Sequence, residues 1–93
     1  DLDHLHQFSA ELRAGADLLS RLEDGAVIVV GSSLFFAPDV TPEMITDKHL
    51  LFIVGAVAVC PKPLLGTVQA NSIVGNMVMD EEAYEAFRKK YKV

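Results

Sequence analysis

Three segments of the chain carry one order of residue types: Ile28-Val29-Val30-Gly31-Ser32-Ser33-Leu34-Phe35-Phe36, Phe52-Ile53-Val54-Gly55-Ala56-Val57-Ala58-Val59-Cys60, and Ser72-Ile73-Val74-Gly75-Asn76-Met77-Val78-Met79. Each runs from a small apolar block into Val-Gly, then a small or polar residue, then a second apolar block. The corner glycines fall at Gly31, Gly55 and Gly75, 24 and then 20 residues apart. A period of that length belongs to stacked supersecondary units rather than to one closed sheet.

The stretches between these segments read as helical turns. Asp17 to Gly25 lies 24 residues before Thr41 to His49, and in the second of these Thr41-Pro42 suits an N-cap followed by the first helical position. Pro61 to Asn71 opens with prolines that stop the preceding strand and leaves room for one helical turn. The predicted fold class is therefore α/β: a short repeat solenoid whose units run strand, Gly corner, strand, helical turn, with a helix at each end. Leu5, Phe8, Leu12, Leu19 and Leu22 recur mostly at three- and four-residue steps. That spacing predicts a helix from about Leu2 to Ala14, and Asp17 as the N-cap of a short second one closing at Gly25. Asp80-Glu81-Glu82 opens a last helix with Arg88-Lys89-Lys90 in its final turn, the charge order that the helix dipole favours. The single domain expected over 1–93 divides into a helical cap at 1–25, three strand units at 26–79 and a helix at 80–93.

Aligning the copies stacks Phe35, Val59 and Met79 in one column and Leu34, Ala58 and Val78 in the next. Successive strand residues face opposite ways, so both faces are apolar, the pattern of parallel strands covered on both sides. A small closed α/β domain with a three-stranded, mostly parallel sheet is the alternative architecture. Over residues 17–80 the alternation of short strand and helical turn resembles leucine-rich-repeat proteins and related α/β solenoids. Valine and isoleucine stand where that signature has leucines, and Asn71 and Asn76 alone suit its asparagine position. The resemblance implies a protein-interaction scaffold and brings no catalytic residue with it.

Charge is unevenly placed along the 93 residues, whose net charge is -5. From His49 to Met79 the one formally charged side chain is Lys62. A middle so poor in charge is built to be covered, by its own fold or by a partner. The acidic balance argues against a nucleic-acid partner, since phosphate contacts need a basic face. The apolar runs are too short and too interrupted for a membrane span, so a soluble chain is expected. The lone Cys60 excludes an internal disulfide and a multi-cysteine zinc site, and favours a reducing, cytoplasmic compartment. The chain opens on Asp1 with no signal-peptide pattern ahead of it, which reads as a trimmed domain.

Residues with chemistry in them are few. Cys60 ends an apolar strand, where nucleophiles often sit, and His49 is a candidate base; packing of Cys60 as a small apolar group is the plainer reading. His4 and His6 alternate near Asp1 and Asp3, but on a helix they point about 200° apart and cannot share an ion. No metal site, cofactor or phosphate loop is predicted. The expected function is a non-catalytic structural or protein-interaction module whose partner is itself or another protein. Its apolar strands would carry the contact, with Val57, Val59, Met77, Val78 and Met79 as interface candidates. The alternative is a small α/β enzyme or ligand-binding domain using Cys60 and His49.

Overall fold

The computed structural model describes residues 4–92. Its strands are β1 (Leu5–Phe8), β2 (Leu12–Ala14), β3 (Val27–Val30), β4 (Leu34–Phe36), β5 (Leu51–Val54), β6 (Val57–Cys60), β7 (Ser72–Val74) and β8 (Met77–Asp80). Its α-helices are α1 (Ala16–Ser20), α2 (Pro42–Thr46), α3 (Leu65–Ala70) and α4 (Glu81–Tyr91), and a turn of 3-10 helix at Lys62–Leu64 leads into α3. The protein is α/β with two parallel four-stranded sheets. Odd-numbered strands form the first, in the order β1-β3-β5-β7, and even-numbered strands the second, β2-β4-β6-β8. Each strand of the first sheet thus turns a corner and continues as a strand of the second.

The columns expected from the aligned copies are register partners on neighbouring parallel strands. Phe35 pairs with Val59 and Val59 with Met79, while Leu34 pairs with Ala58 and Ala58 with Val78. The corner glycines stack as well: Gly55 N–H donates to the Val30 carbonyl (2.8 Å) and Gly75 N–H to that of Val54 (2.9 Å). None of the three has a positive φ. What the position requires is the absence of a β-carbon, which on Gly55 would lie 2.5 Å from the Gly31 carbonyl oxygen.

One face of each sheet looks into a shared core. Ile28, Val30, Phe52 and Val54 enter it from the first sheet, Leu34, Phe36, Ala58 and Cys60 from the second. Leu19 of α1, Ile45 of α2 and Val68 of α3 close it. These helices are too short to be stable alone, and their ends are tied across the units. The Ala16 N–H at the start of α1 donates to Asp39 Oδ1 (3.1 Å). Beyond the end of the same helix, Lys48 Nζ donates to the carbonyls of Leu19, Ser20 and Leu22 at 2.7–3.0 Å.

The N-terminal region departs from the expected helix. Residues 5–8 and 12–14 are strands that add one place to each sheet, paired in parallel with β3 and β4. Leu5, Phe8 and Leu12 show helical spacing only because a corner separates the two strands. Ser9 occupies that corner, opposite Gly31, and hides its equivalence to the glycines. There are accordingly four strand pairs where three units were expected, and the alternative of a single three-stranded sheet is replaced by two sheets of four. Gly15 rather than Asp17 is the N-cap of α1. Gly25 does take a positive φ of 78°, beyond the helix it was expected to close. The segment after Pro61 is helical over both Lys62–Leu64 and Leu65–Ala70, more than one turn. Asp80 caps α4 as expected, its Oδ1 accepting from Ala83 N–H at 2.7 Å. Asp1, Leu2 and Asp3 lie outside the described residues.

Candidate functional site

The outer faces of the two sheets are treated differently. On the second sheet, alternation turns Arg13, Phe35, Val57, Val59, Met77 and Met79 away from the core. Helix α4 leaves β8 and folds back over this face, so that Tyr84 and Phe87 pack on Phe35, Val57, Val59 and Met79. The Tyr84 ring meets Phe35 edge to face at 5.3 Å between centroids. Val57, Val59 and Met79 are buried there under the chain's own helix, and Val78 packs against the main core from the other side. Of the five interface candidates only Met77 is a large exposed apolar side chain, at 56 %.

The outer face of the first sheet carries the column Gln7, Val29, Ile53, Ile73, in register across all four strands. Neither hydrophobic cluster of the described residues includes Val29, Ile53 or Ile73. Val29 and Ile53 are half-buried by their neighbours, and Ile73, on the edge strand β7, is 61 % exposed. Ile73 and Met77 therefore stand on the two strands that end the sheets, either side of Gly75. From Pro63 to Met79 the sequence has no charged residue. Sheet edges ordinarily carry charge or proline that discourages pairing with another chain; on this one the single charge is Asp80, which ends β8 and is engaged as the cap of α4, and neither β7 nor β8 holds a proline. The opposite edge is polar: Arg13 pairs with Glu11 (3.0 Å), and the His6 ring beside Glu23 (3.0 Å) holds that carboxyl below its usual range. A reading from the sequence names Met77 among its interface candidates but misses Ile73, because burial, not residue type, separates Met77 from Met79 and Ile73 from Val59.

The residues with chemistry are not assembled into a reactive site. Cys60 is fully buried, and burial, followed by the charges of Asp80 and Glu81, pushes its thiol up to about 11. A nucleophilic cysteine requires the opposite shift. His49 sits in the turn between α2 and β5 with φ 54°, exposed, its Nδ1 3.1 Å from Asp24 Oδ1. No hydrogen bond or ion pair joins it to Cys60 among the described residues. His6 is on a strand rather than the expected helix, and it shares the Glu23 carboxylate with His4, whose Nδ1 is 3.4 Å away. No group of three side chains among the described residues is arranged to hold a metal ion. A groove of about 690 Å³ lies beside α4 over Arg13, Phe35 and Tyr84. Four of its charges pair within its own walls, Arg13 with Glu11 and over the Phe35 ring at 4.7 Å, and Arg88 with Glu85 at 3.4 Å. No helix among the described residues is long and apolar enough to cross a membrane. Compared with protein-family models, with curated proteins and with solved structures, the chain matches none.

Proposed function

We propose that the protein is a short solenoid that works as a non-catalytic interaction module, self-associating through the apolar strands of its last unit. The observation that carries this reading is the exposure of Ile73 (61 %) and Met77 (56 %) on two edge strands within a charge-free stretch. Parallel sheets are normally covered on both faces and at both edges. Here α4 covers Val57, Val59 and Met79 on the second sheet's outer face, while Ile73 and Met77 of the last strand pair stay in water. The buried, unactivated Cys60 leaves the enzyme alternative without a nucleophile.

Light scattering on a size-exclusion column, over a wide range of concentration, tests the reading. The wild type is expected to exceed the monomer mass, and the double variant Ile73→Lys/Met77→Lys to return to it with unchanged circular dichroism. A wild type that stays monomeric at every concentration would overturn the proposal.

A further inference from the structure

The corner column has a direction. A β-carbon on Gly31 would lie 2.8 Å from the Ser9 carbonyl oxygen, and one on Gly55 2.5 Å from that of Gly31; on Gly75 it would collide with the Gly55 carbonyl. A strand pair therefore stacks after another only if its own corner residue lacks a β-carbon. Gly31, Gly55 and Gly75 meet that condition, and Ser9, the corner residue between β1 and β2, does not. In a head-to-tail array, β1 and β2 of one copy would follow β7 and β8 of another, and the Ser9 β-carbon would meet the Gly75 carbonyl. The charges of Glu11 and Arg13 at that edge add to the obstruction. Copies of this chain are thus barred from continuing one another's sheets in the parallel sense.

The backbone of β7 offers a different geometry. The Asn71 carbonyl accepts from Phe52 N–H (3.0 Å) and Gly75 N–H donates to the Val54 carbonyl (2.9 Å), so the residues bracketing β7 both bond toward β5. Strand alternation then turns the backbone groups of Ile73 toward β5 as well, and aims the N–H and C=O groups of Ser72 and Val74 away from it. Two donors and two acceptors disposed symmetrically about Ile73 are self-complementary under a two-fold axis. Ser72 of one copy meets Val74 of the other, and the two Ile73 side chains face each other on the axis.

Resting on the reading of self-association above, we infer that the partner is a second copy docked tail to tail, with β7 antiparallel to its counterpart. Such an isologous contact uses the same edge on both chains and closes at a dimer, whereas a head-to-tail contact would leave an edge free and grow. Ile73 would be a non-hydrogen-bonded antiparallel pair with itself, about 4.5 Å between Cα atoms, within reach of a disulfide.

Oxidative cross-linking of Ile73→Cys distinguishes the arrangements, because the buried Cys60 does not compete. The column Gln7, Val29, Ile53, Ile73 makes Gln7 the position that would face Ile73 in a head-to-tail array. Tail-to-tail docking predicts that Ile73→Cys alone converts to a covalent dimer, and that a mixture with Gln7→Cys yields no link between the two variants. It also predicts that the mass of the unmodified protein levels off at two chains. A link between positions 7 and 73, mass that keeps rising with concentration, or self-association without the 73–73 link would overturn this inference and leave self-association standing. A monomer at every concentration would overturn both.

Discussion

Gly55 lies against the carbonyl of Gly31 so closely that an added β-carbon would be 2.5 Å from the oxygen, inside any van der Waals separation. Both partners in that contact are backbone, held by the ladders of two sheets, and neither has a side chain that can swing aside. Gly55→Ala is expected to destabilise the fold by about 3 kcal/mol, the upper part of the range for overpacking a close-packed site. Gly66 in α3 is the control. A β-carbon there meets nothing within 4 Å and the φ is not positive, so Gly66→Ala should stabilise by up to about 1 kcal/mol through helix propensity. Urea unfolding of the two variants measures both, and equal effects would refute the role given to the corner.

Lys48 ties α1 to the following unit by donating to the carbonyls of Leu19, Ser20 and Leu22. These carbonyls lie at and just beyond the C-terminal end of α1, where backbone acceptors run short of helical partners, although that of Leu19 also accepts from Leu22 N–H at 3.2 Å, and a cation is favoured at that helix end. Lys48→Met keeps the apolar stem and removes the charge and all three bonds. A loss of about 2 kcal/mol is expected, since hydrogen bonds to charged groups are worth more than neutral ones. Hydrogen exchange should show α1 opening before the strands on either side of it.

Helix α4 has no fully buried residue and is held to the second sheet by the half-buried Tyr84 and Phe87. Tyr84→Ala removes the edge-to-face contact with Phe35 and part of the cover over Val59. The expected cost is about 2 kcal/mol from lost apolar burial and ring contact. Freed from that cover, Val57, Val59 and Met79 should raise the binding of an apolar dye while the circular dichroism of the strands is retained. Unchanged dye binding would show that Phe87 alone seats the helix.

Cys60 should be inert to a thiol reagent at pH 7–8 in the folded protein and react fully after unfolding, because it is buried and its thiol is pushed up to about 11. The sign of the accompanying pH dependence follows from the raised value. Folding favours the protonated thiol, so its contribution is fully present below the ordinary cysteine range. It declines as pH rises from there toward 11, where the unfolded chain ionises first. Cys60→Ala should remove that alkaline decline, as read from urea midpoints between pH 8 and 10.5. A native thiol that reacts at the rate of a free cysteine would reopen the enzyme alternative.

The periodic part of the architecture is legible in the order of residues alone. Val-Gly at 31, 55 and 75 implies strands, corners and the register in which Phe35, Val59 and Met79 stand side by side, because close stacking tolerates only glycine at the corner and alternation assigns the faces. Asp80 at the start of α4 is legible for an equally local reason: a capping carboxylate bonds a backbone N–H three residues away. The first strand pair is not, since Ser9 breaks the glycine pattern and the corner between β1 and β2 imitates helical spacing. Nor does the sequence say which apolar residues stay in water. Val59 and Met77 are both apolar side chains on the outer face of the second sheet. One is covered because α4 folds back over the middle of that sheet, and the other, on β8 at the end of the sheet among the described residues, is exposed because it stands outside the cluster that α4 covers. Local sequence thus determined the units and their corners through short-range sterics and hydrogen bonding. The tertiary structure alone decided where cover ends, since burial depends on which distant segment returns to each face.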